Sequence, residues 1–305
     1  MRRKLVQHGE KTLMVSLPAK WLQTQNLKKG DEVVLAPENS SITISKETLL
    51  DTVHRIKISI KLESSLHVHA VLSNAYKLGY DEIAVEYSGK AQLALIKKEV
   101  GRMIGFEIVS LTSDTCKIKS VIKSTVEEYE NIKKRSWFSI KSAFDTLVAD
   151  LKRGKMDNYS VILELYDNTL KFTDFCRRLI NKHMFLDVKN ACLEYSVLLK
   201  LLYSMPLIKE TYISVKEKRV KPGNDFIDFA KKCETYFNLC YDAYHKKDPE
   251  LASRIVTEWD AIDAQGNNLL KKYGISASKL LELIRLCRGF GGHIIAQHYL
   301  TEFKE

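Results

Sequence analysis

The chain opens with a run too short to bury a core by itself. Residues 1–45, MRRKLVQHGEKTLMVSLPAKWLQTQNLKKGDEVVLAPENSSITIS, are nevertheless patterned as ordered structure. Leu13, Val15 and Leu17 alternate with Met14 and Ser16, the period-2 pattern of a half-buried strand. Pro18 ends that strand, and AKWLQTQNL reads as a two-turn helix presenting Trp21 and Leu22. Gly30-Asp31 turns the chain into VVL, and Asn39-Ser40 turns it again into Ile42 and Ile44. A unit this small is normally closed by a metal, by disulfides or by a partner chain. It contains no cysteine and no metal-binding pattern. A second copy of itself is the remaining solution, so the stretch is expected to be an obligate dimerisation element.

Charge adds a second constraint. The chain carries 48 Lys+Arg against 38 Asp+Glu, a net charge of +10 and an isoelectric point near 9.1. Within residues 1–30, Arg2, Arg3, Lys4, Lys11, Lys20, Lys28 and Lys29 stand against Glu10 alone. On a small β module such a cluster is an electrostatic footprint for a phosphate backbone, and two-fold symmetry would double it. Arg2, Arg3, Lys4, Lys11 and Lys20 are the candidate DNA contacts.

The order of basic start, VSLPAKW, LKKGDEVVL and SITI resembles the SpoVT-AbrB swapped-hairpin domain. That resemblance implies two chains interleaving their hairpins into one small dimeric barrel with a basic face that binds DNA.

Composition narrows the rest. Hydrophobic residues at 45% supply ordinary cores, and length suggests about two domains. No apolar run approaches the roughly 18–20 residues of a membrane span, and no signal peptide is recognisable. No membrane insertion and a cytoplasmic location are therefore expected. Cys116, Cys176, Cys192, Cys233, Cys240 and Cys287 are widely spaced, which favours reduced, mostly buried thiols.

Residues 52–122 alternate strand and helix patterns. VHRIKISIKL places Ile56, Ile58 and Ile60 on one face, and LHVHAVLSNAYKLGY follows with helical spacing closed by Gly79. DEIAVEY is a second strand, and KAQLALIKKEVGRMI a helix with Leu93, Ile96, Val100, Met103 and Ile104 inward. GFEIVSL and CKIKSVI close with a hairpin. A small α/β sandwich is expected. Neither Gly-rich nucleotide signature occurs, so it is read as a connector or dimer-extending domain.

From 124 to 305 the pattern is helical: 125–154, 157–182, 186–206, 224–246, 248–272 and 276–303, with KETYISVKEKRVKPGND as the long polar break. LVADLKRGKMDNYSVILELYD and CYDAYHKKDPELASRIVTEWD, beginning at 147 and 240, resemble each other and define repeats of about 124–206 and 224–305. Two tandem three-helix units with this corner resemble the PhoU fold of phosphate-signalling proteins. With the AbrB-like start and α/β middle, the whole chain resembles the archaeal PhoU-type phosphate uptake regulators. The fold class expected is therefore multidomain α+β: residues 1–50, 52–122 and 124–305.

The PhoU resemblance implies acids gathering an iron or zinc cluster. Glu164 and Asp167 in the first repeat and Glu258, Asp260 and Asp263 in the second match part of that pattern, but Lys171 replaces an acid. The facing segments LLYSMPL and LCRGFGG supply no carboxylate. The expectation is no cofactor, with Arg288 paired to an acid of the second repeat. His67 and His69 diverge on a helix and cannot share an ion, and Gly289, Gly291 and Gly292 read as a close helix crossing rather than a phosphate cradle. No catalytic constellation appears, so the chain is not expected to be an enzyme. The reading is a homodimeric DNA-binding regulator of phosphate homeostasis. The alternative is an adaptor docking on a phosphate transporter or signalling protein.

Overall fold

The amino-terminal pattern folds as two hairpins flanking one short helix. In the computed structural model, which describes residues 1–38, 41–46, 53–122, 125–182, 188–218 and 222–302, the chain divides into Met1–Thr52 and Val53–Glu305. The first unit contains β1 (Val6–His8), β2 (Thr12–Met14), α1 (Ala19–Thr24), β3 (Val34–Glu38) and β4 (Ser41–Ser45). β1 pairs antiparallel with β2, and β3 with β4. The basic arm expected before the first strand therefore contains a strand of its own, turned at Gly9 with φ +77°. The Asn39-Ser40 turn lies outside the described residues.

The second unit begins with β5 (Arg55–Ser59), α2 (Ser65–Lys77), β6 (Glu82–Glu86), α3 (Gly89–Val100), β7 (Phe106–Leu111) and β8 (Thr115–Ser120). The sheet order is β5-β6-β8-β7, with β5 and β6 parallel and the other pairs antiparallel. Period-2 alternation sorts its faces: Ile83, Val85, Cys116 and Ile118 are buried, while Lys117 and Lys119 are exposed. The open face carries ion pairs, Arg55–Glu82 at 2.9 Å and Lys119–Glu82 at 3.0 Å between register partners and Lys57–Glu86 at 2.6 Å on the diagonal. α3 stops at Val100 and not at Ile104, because Gly101 begins a turn closed by Gly105 at φ +75°.

Six helices follow: α4 (Val126–Arg153), α5 (Tyr159–Asn181), α6 (Val188–Lys218), α7 (Asn224–Lys246), α8 (Pro249–Tyr273) and α9 (Ile275–Glu302). Their ends follow local chemistry. Thr125 and Glu128 form a capping box on α4, and Asp248 caps α8 with Pro249 at its first position. At the corner between α4 and α5, buried Asp150 accepts from Tyr212 Oη at 2.5 Å, from Asn158 Nδ2 at 2.9 Å and from Arg153. One continuous core joins all six helices, with Trp137, Phe144, Tyr212, Phe226, Phe237 and Phe290 at its centre. The two three-helix sets thus share their interior.

α6 corrects the sequence reading twice. It does not stop at Pro206 but runs on to Lys218, through most of the supposed polar break. Pro206 removes one helical hydrogen bond, yet Leu207, Ile208, Thr211, Tyr212 and Val215 are buried beyond it and hold the helix against the bundle. Its Val188–Glu217 stretch is also long and apolar enough to cross a membrane by length and composition, contrary to the expectation that no such run exists. Here Val197, Leu198, Leu201 and Met205 are core residues instead.

The α/β lobe is fastened to α5 by a buried clamp. Asp81 accepts from Arg178 Nη2 at 2.5 Å, from Lys182 Nζ at 2.7 and 2.9 Å, and from the His54 amide at 2.9 Å. Arg178 also donates to the carbonyls of Tyr76 and Tyr80, at 3.0 and 2.7 Å. Gly79, at φ +93°, leaves room for Lys182, whose Cγ would lie 2.8 Å from a Cβ there.

Candidate nucleic-acid interface

Each sequence-predicted cation of the amino-terminal unit is placed by a different piece of it. Arg2, Arg3 and Lys4 precede β1, Lys11 sits in the turn between β1 and β2, and Lys20 lies in the first turn of α1. Asn26, at φ +52°, ends that helix, with Leu27 N donating to Leu22 O at 2.9 Å. Asp31 Oδ2 then accepts from Lys28 N at 2.7 Å and forms the turn leading to β3. All five candidate cations are exposed. Among the described residues none of them forms an ion pair.

Among the described residues of Met1–Thr52 no side chain is buried. Val6 is 59%, Leu13 61%, Leu35 59% and Ile42 64% exposed, and Trp21 is only half-buried. Apolar area left in water forfeits about 25 cal/mol per Å², so a single copy of this unit lacks the usual source of stability.

Charge is also segregated along the unit. Residues 1–30 hold seven cations against Glu10, whereas residues 31–52 hold Lys46 against Asp31, Glu32, Glu38, Glu47 and Asp51. The unit therefore sums to +2, eight cations less six acids, and the remaining +8 of the chain lies in Val53–Glu305. The total charge is not evidence for the amino-terminal site; the segregation is.

The acids singled out in the helices do not converge. Glu164 and Asp260 are exposed, Asp167 pairs with Arg102 at 2.9 Å, and Glu258 pairs with Arg254 at 2.8 Å on its own helix. Asp263 pairs with Arg285 at 2.7 Å, which corrects the expected role of Arg288. Arg288 instead lies over the Trp259 ring at 4.2 Å. Among the described residues no group of three or more His, Cys, Asp or Glu is arranged to hold a metal ion. His69 Nδ1 meets Glu99 Oε2 at 2.8 Å.

A buried polar centre that sequence reasoning missed lies inside the bundle. Glu194 of α6 accepts from Tyr129 Oη at 2.7 Å, Lys133 Nζ at 2.9 Å, Tyr244 Oη at 2.8 Å and Gln297 Nε2 at 2.7 Å. Burial pushes its pKa up, but Lys133 and the hydroxyl donors outweigh burial and hold the carboxyl below its usual range. The only signal in the sequence is one acid inside an apolar seam, CLEYSVLLKLL. Its four partners come from α4, α7 and α9, and no local pattern links them.

A family model described as antidote-toxin recognition MazE, bacterial antitoxin, matches residues 6–49 of the chain. That is less than a fifth of its length, and it coincides with the unit just described. No curated protein matches the chain. No solved structure matches it either.

Proposed function

We propose that the chain is a homodimeric DNA-binding regulator whose amino-terminal unit is both the dimer seam and the DNA contact. The observation that carries this is the pairing of exposed cations that form no ion pair with a scaffold in which no side chain is buried in one copy, both among the described residues. A second copy would cover Val6, Leu13, Leu35 and Ile42 and bring two sets of Arg2, Arg3, Lys4, Lys11 and Lys20 together. Such cations contact phosphates, which set position and affinity but not sequence. The match to an antitoxin-family model over the same residues supports a regulator of this general type.

To the helical unit we assign a role in phosphate homeostasis, supported by the resemblance of its repeated corners to PhoU proteins. The antitoxin name favours a second reading, in which the partner sensed is a toxin protein.

DNA selection on the full-length protein, repeated with residues 1–50 removed, tests the central claim. Enrichment of a DNA sequence that depends on those residues is expected. Reversing the charge of Arg2, Arg3 and Lys4 should weaken binding and flatten its salt dependence, because fewer counterions are released. Equal binding by that variant at low and high salt would remove the basic arm from the site.

A further inference from the structure

The glycines of LCRGFGGH separate into three roles, and one of them exposes an unusual lysine. A Cβ at Gly291 would lie 2.8 Å from the Ala252 carbonyl oxygen, so that glycine permits the crossing of α8 and α9. Gly292 has open space around it. Gly289 makes room for Lys200, whose Cε would lie 2.6 Å from a Cβ there. The Lys200 stem thus passes from α6 through a gap in α9.

The amine at the end of that stem has neutral company. Lys200 Nζ donates to Ser196 Oγ at 3.0 Å and lies 3.4 Å from His293 Nε2. His293 Nδ1 is 2.6 Å from the Gly289 carbonyl oxygen. That carbonyl can only accept, so Nδ1 carries the proton and neutral Nε2 presents its lone pair to Lys200. Among the described residues no carboxylate pairs with Lys200, whereas buried Lys133 and Lys182 are paired with Glu194 and Asp81. Burial therefore lowers the pKa of Lys200, and the residue as a whole is only partly buried.

We infer that Lys200 is an acyl-accepting lysine, modified by thioesters of small carboxylic acids, with His293 taking up its proton. The ammonium passes one proton through the existing contact to His293 Nε2 and on to water. The amine lone pair then forms the N–C bond at the thioester carbonyl, the C–S bond breaks, and the leaving thiolate takes the second amine proton. A secondary amide remains on Lys200, and no oxidant or reductant is needed. The product is uncharged, so the modification would erase the one cation that α6 extends through the glycine gap.

Full-length protein incubated with acetyl-coenzyme A, followed by peptide mass spectrometry, reads the initial rate at each lysine. Lys200 should react severalfold faster than exposed Lys246 and Lys247, and its rate should level off at lower pH than theirs. His293→Asn should reduce the Lys200 rate to theirs without altering other sites. Where that variant fails to fold, the pH profile of the parent decides. A Lys200 rate no higher than that of Lys247, an advantage that persists in urea, or an unchanged rate in folded His293→Asn would overturn the inference.

Discussion

Glu194 shows what a single side chain costs when it is buried with its partners. Replacing it with Ala leaves Lys133, 2% exposed, without its buried counter-charge, a change that typically costs about 3–5 kcal/mol. Urea unfolding of Glu194→Ala should show a loss of that size, whereas Tyr244→Phe, which removes one hydroxyl donor, should lose about 1–2 kcal/mol. His245 offers a separate test by pH. Burial lowers its pKa to about 4 from the ordinary 6.5, and its Nε2 is buried beside Trp137 without a hydrogen-bond partner. The unfolded chain therefore binds a proton below pH 6.5 that the fold refuses. Its contribution is present above 6.5 and is lost as pH falls through about 4. Because the residue is only partly buried, solvent screening reduces the effect to about 1–2 kcal/mol. Melting temperatures of His245→Gln and the parent should converge as pH drops from 7 to 4. Glu234 runs the other way: burial is the largest cause raising its pKa, and neighbouring Asp145 adds to it. Its folded form holds a proton more readily than its unfolded form, so its contribution to stability is lost as pH rises.

At the scale of elements, glycine placement gives a paired prediction on α9. Gly291→Ala pushes a Cβ against the α8 backbone and should destabilise by about 1–3 kcal/mol. Gly292→Ala meets nothing within 4 Å and should stabilise by up to about 1 kcal/mol through helix propensity. Thermal denaturation of the two variants, one residue apart, should move in opposite directions. The same scale shows why some elements could be read from the sequence and others not. The α7 stripe of Phe226, Ala230, Cys233, Phe237, Cys240 and Tyr244 is buried as its spacing implies. The continuation of α6 was hidden because Pro206 and a polar-looking run mask Ile208, Tyr212 and Val215, whose spacing is helical. β1 was hidden because a three-residue strand carries almost no periodicity.

Taken whole, the molecule joins a unit in which no described side chain is buried to another with an extensive core. Analytical ultracentrifugation of the full chain should therefore show a dimer, and Trp21→Ala should shift it toward monomer while the helical melting transition stays where it was. Asp81→Asn should act on the second unit, since it leaves Arg178 and Lys182 without a carboxylate between the sheet lobe and α5; a loss of about 3–5 kcal/mol is expected from urea unfolding. The exposure of Arg2, Arg3, Lys4, Lys11 and Lys20 could be anticipated from composition, because cations on a short β module need no tertiary information to stay in water. The Glu194 centre was not legible, because its donors lie 65, 61, 50 and 103 residues away.

Those separations also describe an order of arrival. A ribosome delivers Tyr129 and Lys133 first, Glu194 next, Tyr244 later, and Gln297 only 103 residues after the carboxylate it serves. Until then the nascent α4–α6 segment carries a carboxylate short of half its donors, beside apolar faces meant for helices still inside the tunnel. The centre is thus completed only once α7 and α9 have been made, and until then Glu194 lacks its Tyr244 and Gln297 donors.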